Sequence, residues 1–251
     1  MSLKSIFMPA ITSWWLSPSR QARQRAAAER SRKARGERHT VHYFHQTDDP
    51  YSALMVQCLP RLTERYDLDL QAHVVSPPSD AAAPDRDRLI AYSRKDAAWL
   101  AARYGLDFVD HGQQPDTAAV QRIRAQSVQA LQEGQFFALG RDLLSSLWKP
   151  APKGAENPPS ALAGDRQVQS HLQSSDALRQ RWGHYNGGML YYAGEWYWGL
   201  DRLHYLETRL QALGAARLGT TGLMFPPEDA THWPQAQAGD TIEFFFSLRS
   251  P

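Results

Sequence analysis

The feature that most restricts how this chain can fold is a strand, helix, strand pattern between residues 40 and 75. Thr40 to Gln46 alternates in strand fashion, and Thr47-Asp48-Asp49-Pro50 then breaks the pattern with turn chemistry. Met55, Leu59, Leu62 and Tyr66 follow at i, i+4, i+7 and i+11, one stripe of an α-helix in which Pro60 predicts a kink. Residues 70–75 read as a second strand. A crossover of this size joins two parallel strands and is right-handed, so this stretch predicts a βαβ unit.

Downstream the pattern changes. Residues 85–104 form a helical segment closed by Gly105, Asp116 can cap a helix running to Glu133, and residues 135–148 continue helical. Residues 149–165 are rich in Pro, Gly and Ala and read as a loop. Strand signals return at 188–192 and are reversed by Ala193-Gly194-Glu195 into 196–198, the spelling of a hairpin. Asp201 then opens a final helix with Leu203, Leu206, Leu210 and Leu213 on one stripe, ended by Gly214. The order is βαβ, a helical insertion at about 80–183, then ββα.

Composition narrows the function classes. The 251 residues are 42% hydrophobic and 22% charged, which is globular material, and the longest apolar candidate, residues 5–16, is broken by Pro9 and too short to span a membrane. A single cysteine, Cys58, excludes an internal disulfide and any multi-cysteine metal site, and fits a reducing compartment, with the cytoplasm as the expected location. Its neighbours Val56, Leu59 and Leu62 mark it as a buried structural thiol. The nine histidines lack metal-ligand spacing, and His42 and His45 fall on the first strand as core residues, so no metal is expected. Residues 1–38 hold nine Lys/Arg and two Glu, a net +7 against +2 for the whole chain. Residues 1–39 therefore read as a basic helical extension, and a solvated helix is preferred to a nucleic-acid or anionic-lipid tether.

The βαβ, insertion, ββα order is that of the thioredoxin-like fold with an inserted all-helical subdomain, and two motifs carry a family resemblance. YFHQTDDPYS at 43–52 and EWYWGLDRLHYL at 195–206 resemble the two signatures of DsbA-like proteins, nearest to 2-hydroxychromene-2-carboxylate isomerases and kappa-class glutathione transferases. The resemblance covers about residues 40–214. It implies that Asp49 stands at the first position of the active-site turn, where DsbA has its nucleophilic cysteine and the isomerases have serine, and that Ser52 stands at the resolving position. With no thiol at either place, dithiol redox chemistry is not expected, although family ancestry would still describe an oxidoreductase.

The resemblance also implies the ligand, glutathione or a related small thiol compound, and a set of residues around it. Asp49 and Ser52 are the candidate catalytic pair; Pro50, Tyr51, Gly187, Gly188, Met189, Leu200 and Asp201 are candidates for substrate binding. An ionised Asp49 accepts hydrogen bonds only and opposes a thiolate, which leaves Ser52 or Tyr51 to supply a donor. Gly187-Gly188-Met189-Leu190 stands where the family has its cis-proline loop. Asp201 matches the residue that pairs with the γ-glutamyl ammonium in kappa transferases, and serves equally as a helix N-cap. The aromatic run Tyr191, Tyr192, Trp196, Tyr197 and Trp198 lines a pocket or packs within its hairpin.

One repeat is visible. TVHYFHQTDDP at 40–50 aligns without gaps on TIEFFFSLRSP at 241–251, so residues 215–240 read as a linker and 241–251 as the first strand of a second thioredoxin-like module. The leading functional expectation is a divergent member of the DsbA-like isomerase and transferase group that binds a small thiol compound. The alternative is a non-catalytic binding or scaffold domain of a tandem protein, with a second module or another copy of the chain as its partner.

Overall fold

In a computed structural model, residues 17–83, 85–149, 164–227 and 241 are described. The first strand, β1 (His39–Gln46), is buried on both faces: Val41, Tyr43 and His45 point one way and Phe44 the other, each fully shielded. A strand of that kind has to lie inside a sheet with cover on each side. It does so in a four-stranded sheet of order β2-β1-β3-β4, made with β2 (Leu68–Val75), β3 (Met189–Tyr192) and β4 (Glu195–Trp198). β1 runs parallel to β2 through all eight pairs from His39 with Leu68 to Gln46 with Val75. β3 is antiparallel to β1, with Tyr43 opposite Leu190, and to β4, with Leu190 opposite Tyr197.

Seven α-helices accompany the sheet among the described residues. A basic helix, α1 (Pro18–Ala34), is capped by Ser17 and buries no residue; Arg25 ties it to the edge strand through a two-point ion pair with Glu195 at 2.7 and 2.8 Å. The crossover helix α2 (Pro50–Arg65) continues through Pro60, and the predicted stripe Met55, Leu59, Leu62 and Tyr66 is wholly buried. At about 1.5 to 3 kcal/mol for each large apolar side chain removed from water, burial of that stripe helps to hold α2 in the core.

The helical insertion contains α3 (Arg86–Tyr104), α4 (Thr117–Gln132), α5 (Phe136–Trp148) and α6 (Asp165–Arg181). Gly105 takes the left-handed conformation that ends α3, and Asp116 caps α4 by accepting from the N–H groups of Ala118 and Ala119. α6 is a helix that the residue pattern did not single out. It covers the second face of the sheet, where Leu178 and Trp182 pack on Phe44, Val75 and Met189. The hairpin turns through Ala193 and Gly194, both at positive φ, the geometry that matches strand twist in a two-residue turn. A short 3-10 turn (Leu200–Arg202) leads into α7 (Leu203–Ala212), which buries Leu203, Leu206 and Leu210.

Residues 242–251 of the expected strand, residues 228–240 of the proposed linker and residues 150–163 lie outside the described residues. No helix among the described residues is long and apolar enough to cross a membrane.

Candidate functional site

The site is built at the junction where β1 turns into α2. Asp49 adopts an extended backbone before Pro50, the first helical residue, and caps the helix: Oδ1 accepts from the Tyr51 N–H at 3.3 Å and Oδ2 from the Ser52 N–H at 2.8 Å. Asp and Pro in this order suit the position, because a carboxylate satisfies N–H groups that the helix leaves free and proline lacks the one it could not use. Ser52 is fully buried and donates its hydroxyl hydrogen to the same Oδ2 at 2.8 Å, while its oxygen accepts the Gln46 N–H at 3.1 Å. Its hydroxyl is thus fully engaged within the protein.

Below the first turn, the Tyr43 hydroxyl donates to the Ser52 carbonyl at 3.1 Å. Its single hydrogen being used there, the 3.0 Å contact with His45 requires that Nδ1 of the imidazole carry a proton and donate to the Tyr43 oxygen. Burial drives the His45 pKa down to about 3, so the ring is neutral; its Nε2 has no partner among the described residues.

Burial dominates Asp49 as well and raises its pKa to about 6, against the pull of the hydrogen bonds from Ser52 and Tyr51; the nearby Asp48 adds to the rise. At neutral pH Asp49 is still largely the anion the sequence predicts, but the helix terminus does not bring its pKa below the ordinary carboxylate value. Desolvation outweighs the cap.

A cleft of about 360 Å³ opens on the outer side of Asp49. Its floor is Asp48, Asp49 and Gln46; Pro77 and Pro78 after β2 and Leu89 and Ile90 of α3 form apolar walls; Trp198 and Tyr51 face each other edge to face with ring centres 6.2 Å apart. Two polar contacts fix the rim: the Tyr51 hydroxyl donates to Asp96 of α3 at 2.8 Å, and the Gln114 amide donates to the Asp48 carbonyl at 2.6 Å. The first also pushes the Tyr51 pKa up, after burial.

Of the predicted site residues, Asp49, Pro50, Tyr51 and Gly187 line this cleft. Gly188 lies directly behind Asp49. Its φ is +63°, and a Cβ there would stand 3.0 Å from Asp49 Oδ2 and 3.3 Å from the Ser52 nitrogen, so only glycine lets the backbone come this close. A Cβ on Gly187 would come within 2.3 Å of the Gln46 Cβ. Ser52, fully buried behind Asp49, is not among the cleft's lining, and neither are Met189, Leu200 and Asp201. Met189 is buried on the far face of the sheet, and Leu200 is core. Asp201 is 57% exposed, makes no capping hydrogen bond, and has Arg202 3.4 Å away. Its expected role as a helix cap fails because a 3-10 turn, with Gly199 at φ +72°, precedes α7 and puts Arg202 at the cap position.

The residue pattern missed Asp48, Asp96, Gln114 and the two prolines. Asp48 stood beside a named residue, and Trp198 was visible as part of an aromatic run, whereas Asp96 and Gln114 come from the insertion and carry no local mark of a site. Cys58 is buried, its thiol directed at the Leu54 carbonyl and its pKa pushed up to about 12. Among the described residues no three His, Cys, Asp or Glu side chains gather to hold a metal ion.

No protein-family model matches the sequence. No curated protein matches it either. Among solved structures it is similar to a 2-hydroxychromene-2-carboxylate isomerase, at 17% identity and a TM-score of 0.51 over 70% of this chain and 96% of that one. A probable DsbA oxidoreductase from Streptomyces coelicolor aligns over 70% of this chain and 88% of its own, at 10% identity and a TM-score of 0.45. The likeness to the isomerase establishes a shared fold, the thioredoxin-like α/β sheet with inserted helices.

Proposed function

We propose that this protein is a divergent, non-redox DsbA-like protein of the hydroxychromene-carboxylate isomerase type, which binds glutathione or a related small thiol compound in the Asp49 cleft. The reading rests on one observation above all: the group offered to a ligand at the head of α2 is a carboxylate, with the Ser52 hydroxyl already donated to it. The Tyr51 hydroxyl is committed to Asp96 in the same way. Neither of these two hydroxyls is left to donate to a thiolate, but a neutral thiol fits, since its S–H can donate to Asp49. The site thus holds a thiol protonated, the opposite of what a helix N-terminus does for a catalytic cysteine. The lone thiol, Cys58, is buried and of raised pKa, which removes the attacking thiolate that disulfide exchange requires. A reducing, cytoplasmic setting fits a chain with one such cysteine.

Calorimetry separates this from the scaffold alternative, which the internal commitment of both hydroxyls favours. On the thiol-binding reading, glutathione binds in the millimolar range and S-methylglutathione, which has no S–H, binds more weakly. No heat with either compound would leave a non-catalytic binding domain as the function.

A further inference from the structure

A separate cleft of about 290 Å³, sharing no lining residue with the first, lies between α2, α5 and the loop that follows α3. Its wall is apolar: the rings of Phe108 and Trp148 meet at 5.1 Å and 59°, beside the buried Leu144. Its mouth carries cations. Lys149 is exposed and has no ion pair among the described residues, and Arg141 is paired with Asp107, leaving a net positive charge at the opening.

The loop that forms one wall is held in place from three sides. The Gln57 amide, on α2, donates to the Asp107 carbonyl and accepts the Asp107 N–H, both at 2.9 Å. Arg141 binds the Asp107 carboxylate from α5. Arg94 on α3 reaches Asp110 at 3.1 Å and the Gly112 carbonyl at 3.3 Å. A wall pinned in this manner is formed before any ligand arrives, which lowers the ordering cost of binding.

We propose that this cleft is a second ligand site, distinct from the Asp49 cleft, that takes a small aromatic carboxylate. The two rings receive the aromatic part, and Lys149 with Arg141 receives the acid group. Size agrees with this class, because an apolar cavity of about 150 Å³ admits a benzene ring and roughly twice that leaves room for a short acid arm. Few precisely placed polar groups around an apolar pocket are the usual makeup of a small-molecule site.

Phenylacetate and its neutral counterpart phenylacetamide test the assignment by NMR titration of the full chain. Phenylacetate should bind in the millimolar range or tighter and shift the amides of residues 106–111 and 144–149. Phenylacetamide should bind roughly tenfold more weakly, the difference expected of one charge-assisted contact. Lys149→Glu, an exposed change that leaves the fold intact, should abolish the preference for the acid while leaving the amide's affinity within about twofold. Excess glutathione should not displace phenylacetate. The proposal is overturned by absence of binding at millimolar ligand, by an unaltered acid preference in Lys149→Glu, or by shifts that centre on Asp49 and Trp198 instead.

Discussion

Ser52 gives its only hydroxyl hydrogen to Asp49 Oδ2 at 2.8 Å and takes the Gln46 N–H at 3.1 Å, so one buried side chain joins the end of β1 to the cap of α2. Ser52 and Asp49 are thereby both tied into the scaffold, and the consequences are measurable.

Ser52→Ala should cost about 1 to 3 kcal/mol, because it strands the Gln46 N–H and removes one of the hydrogen bonds that lower the Asp49 pKa. Urea denaturation reads the first effect. The second appears as a further rise of the Asp49 pKa, followed by carboxyl-carbon NMR. A serine that contributed nothing but volume would leave the pKa where it is.

The pH dependence follows from the Asp49 shift itself. Its folded pKa, about 6, lies above the ordinary value of 3.8, so the folded state holds the proton more tightly than the unfolded chain. Its contribution to stability is fully present below about pH 4 and is lost as pH rises through 6. A shift of this size corresponds to about 2 to 3 kcal/mol between the two limits. Asp49→Asn keeps a capping oxygen and removes the ionisation, so it should stabilise the protein at pH 7.5 and flatten its stability profile between pH 4 and 7 relative to the parent. Parallel denaturant titrations at several pH values check this; identical profiles for the two proteins would contradict the burial argument.

Cys58 should be inert in the folded protein. Its thiol is buried and its pKa lies near 12, so an aromatic disulfide reagent should react only after denaturant is added, and the native protein should not accelerate reduction of insulin disulfides. Cys58→Ser should alter stability by about 1 kcal/mol at most, as the new hydroxyl can still donate to the Leu54 carbonyl. Fast labelling of native protein, or catalysed disulfide reduction, would reject this account.

Local patterns carried most of the fold. The stripe of α2, the cap of α4 at Asp116, the Ala193-Gly194 turn and the Leu203, Leu206, Leu210 face each depend on neighbours a few residues apart, and each is legible in the residue order. The cleft depends on contacts across the chain. Tyr51 meets Asp96 and Asp48 meets Gln114, pairs 45 and 66 residues apart, and no spacing rule announces such partners. Asp201 shows the converse: its motif suggested a cap, but the left-handed Gly199 inserts a 3-10 turn and the side chain ends at the surface. The raised pKa of Asp49 escaped for a third reason. A helix-terminus argument supplies the favourable term, whereas desolvation depends on how completely the surrounding elements close over the group.

Replacing Asp49 with serine tests whether that carboxylate governs the ligand. Near pH 7 Asp49 is largely ionised, with a pKa of about 6, and a thiolate beside it would add a second negative charge where burial already disfavours one. The parent protein should therefore raise the thiol pKa of bound glutathione. Asp49→Ser removes the charge and introduces a hydroxyl at a helix N-terminus, where a thiolate is stabilised by free N–H groups and the helix dipole. Thiolate absorbance should appear at lower pH than in the parent, and binding should tighten at pH values where the bound thiol is ionised, while the neutral thiol loses its acceptor. If Asp49 instead works as the proton acceptor of a reaction with Ser52 as its positioning partner, the same substitution should abolish turnover without lowering the pKa of the bound thiol. Unchanged affinity together with an unchanged thiol pKa would place the ligand away from α2 and remove the Asp49 cleft from consideration as the thiol site.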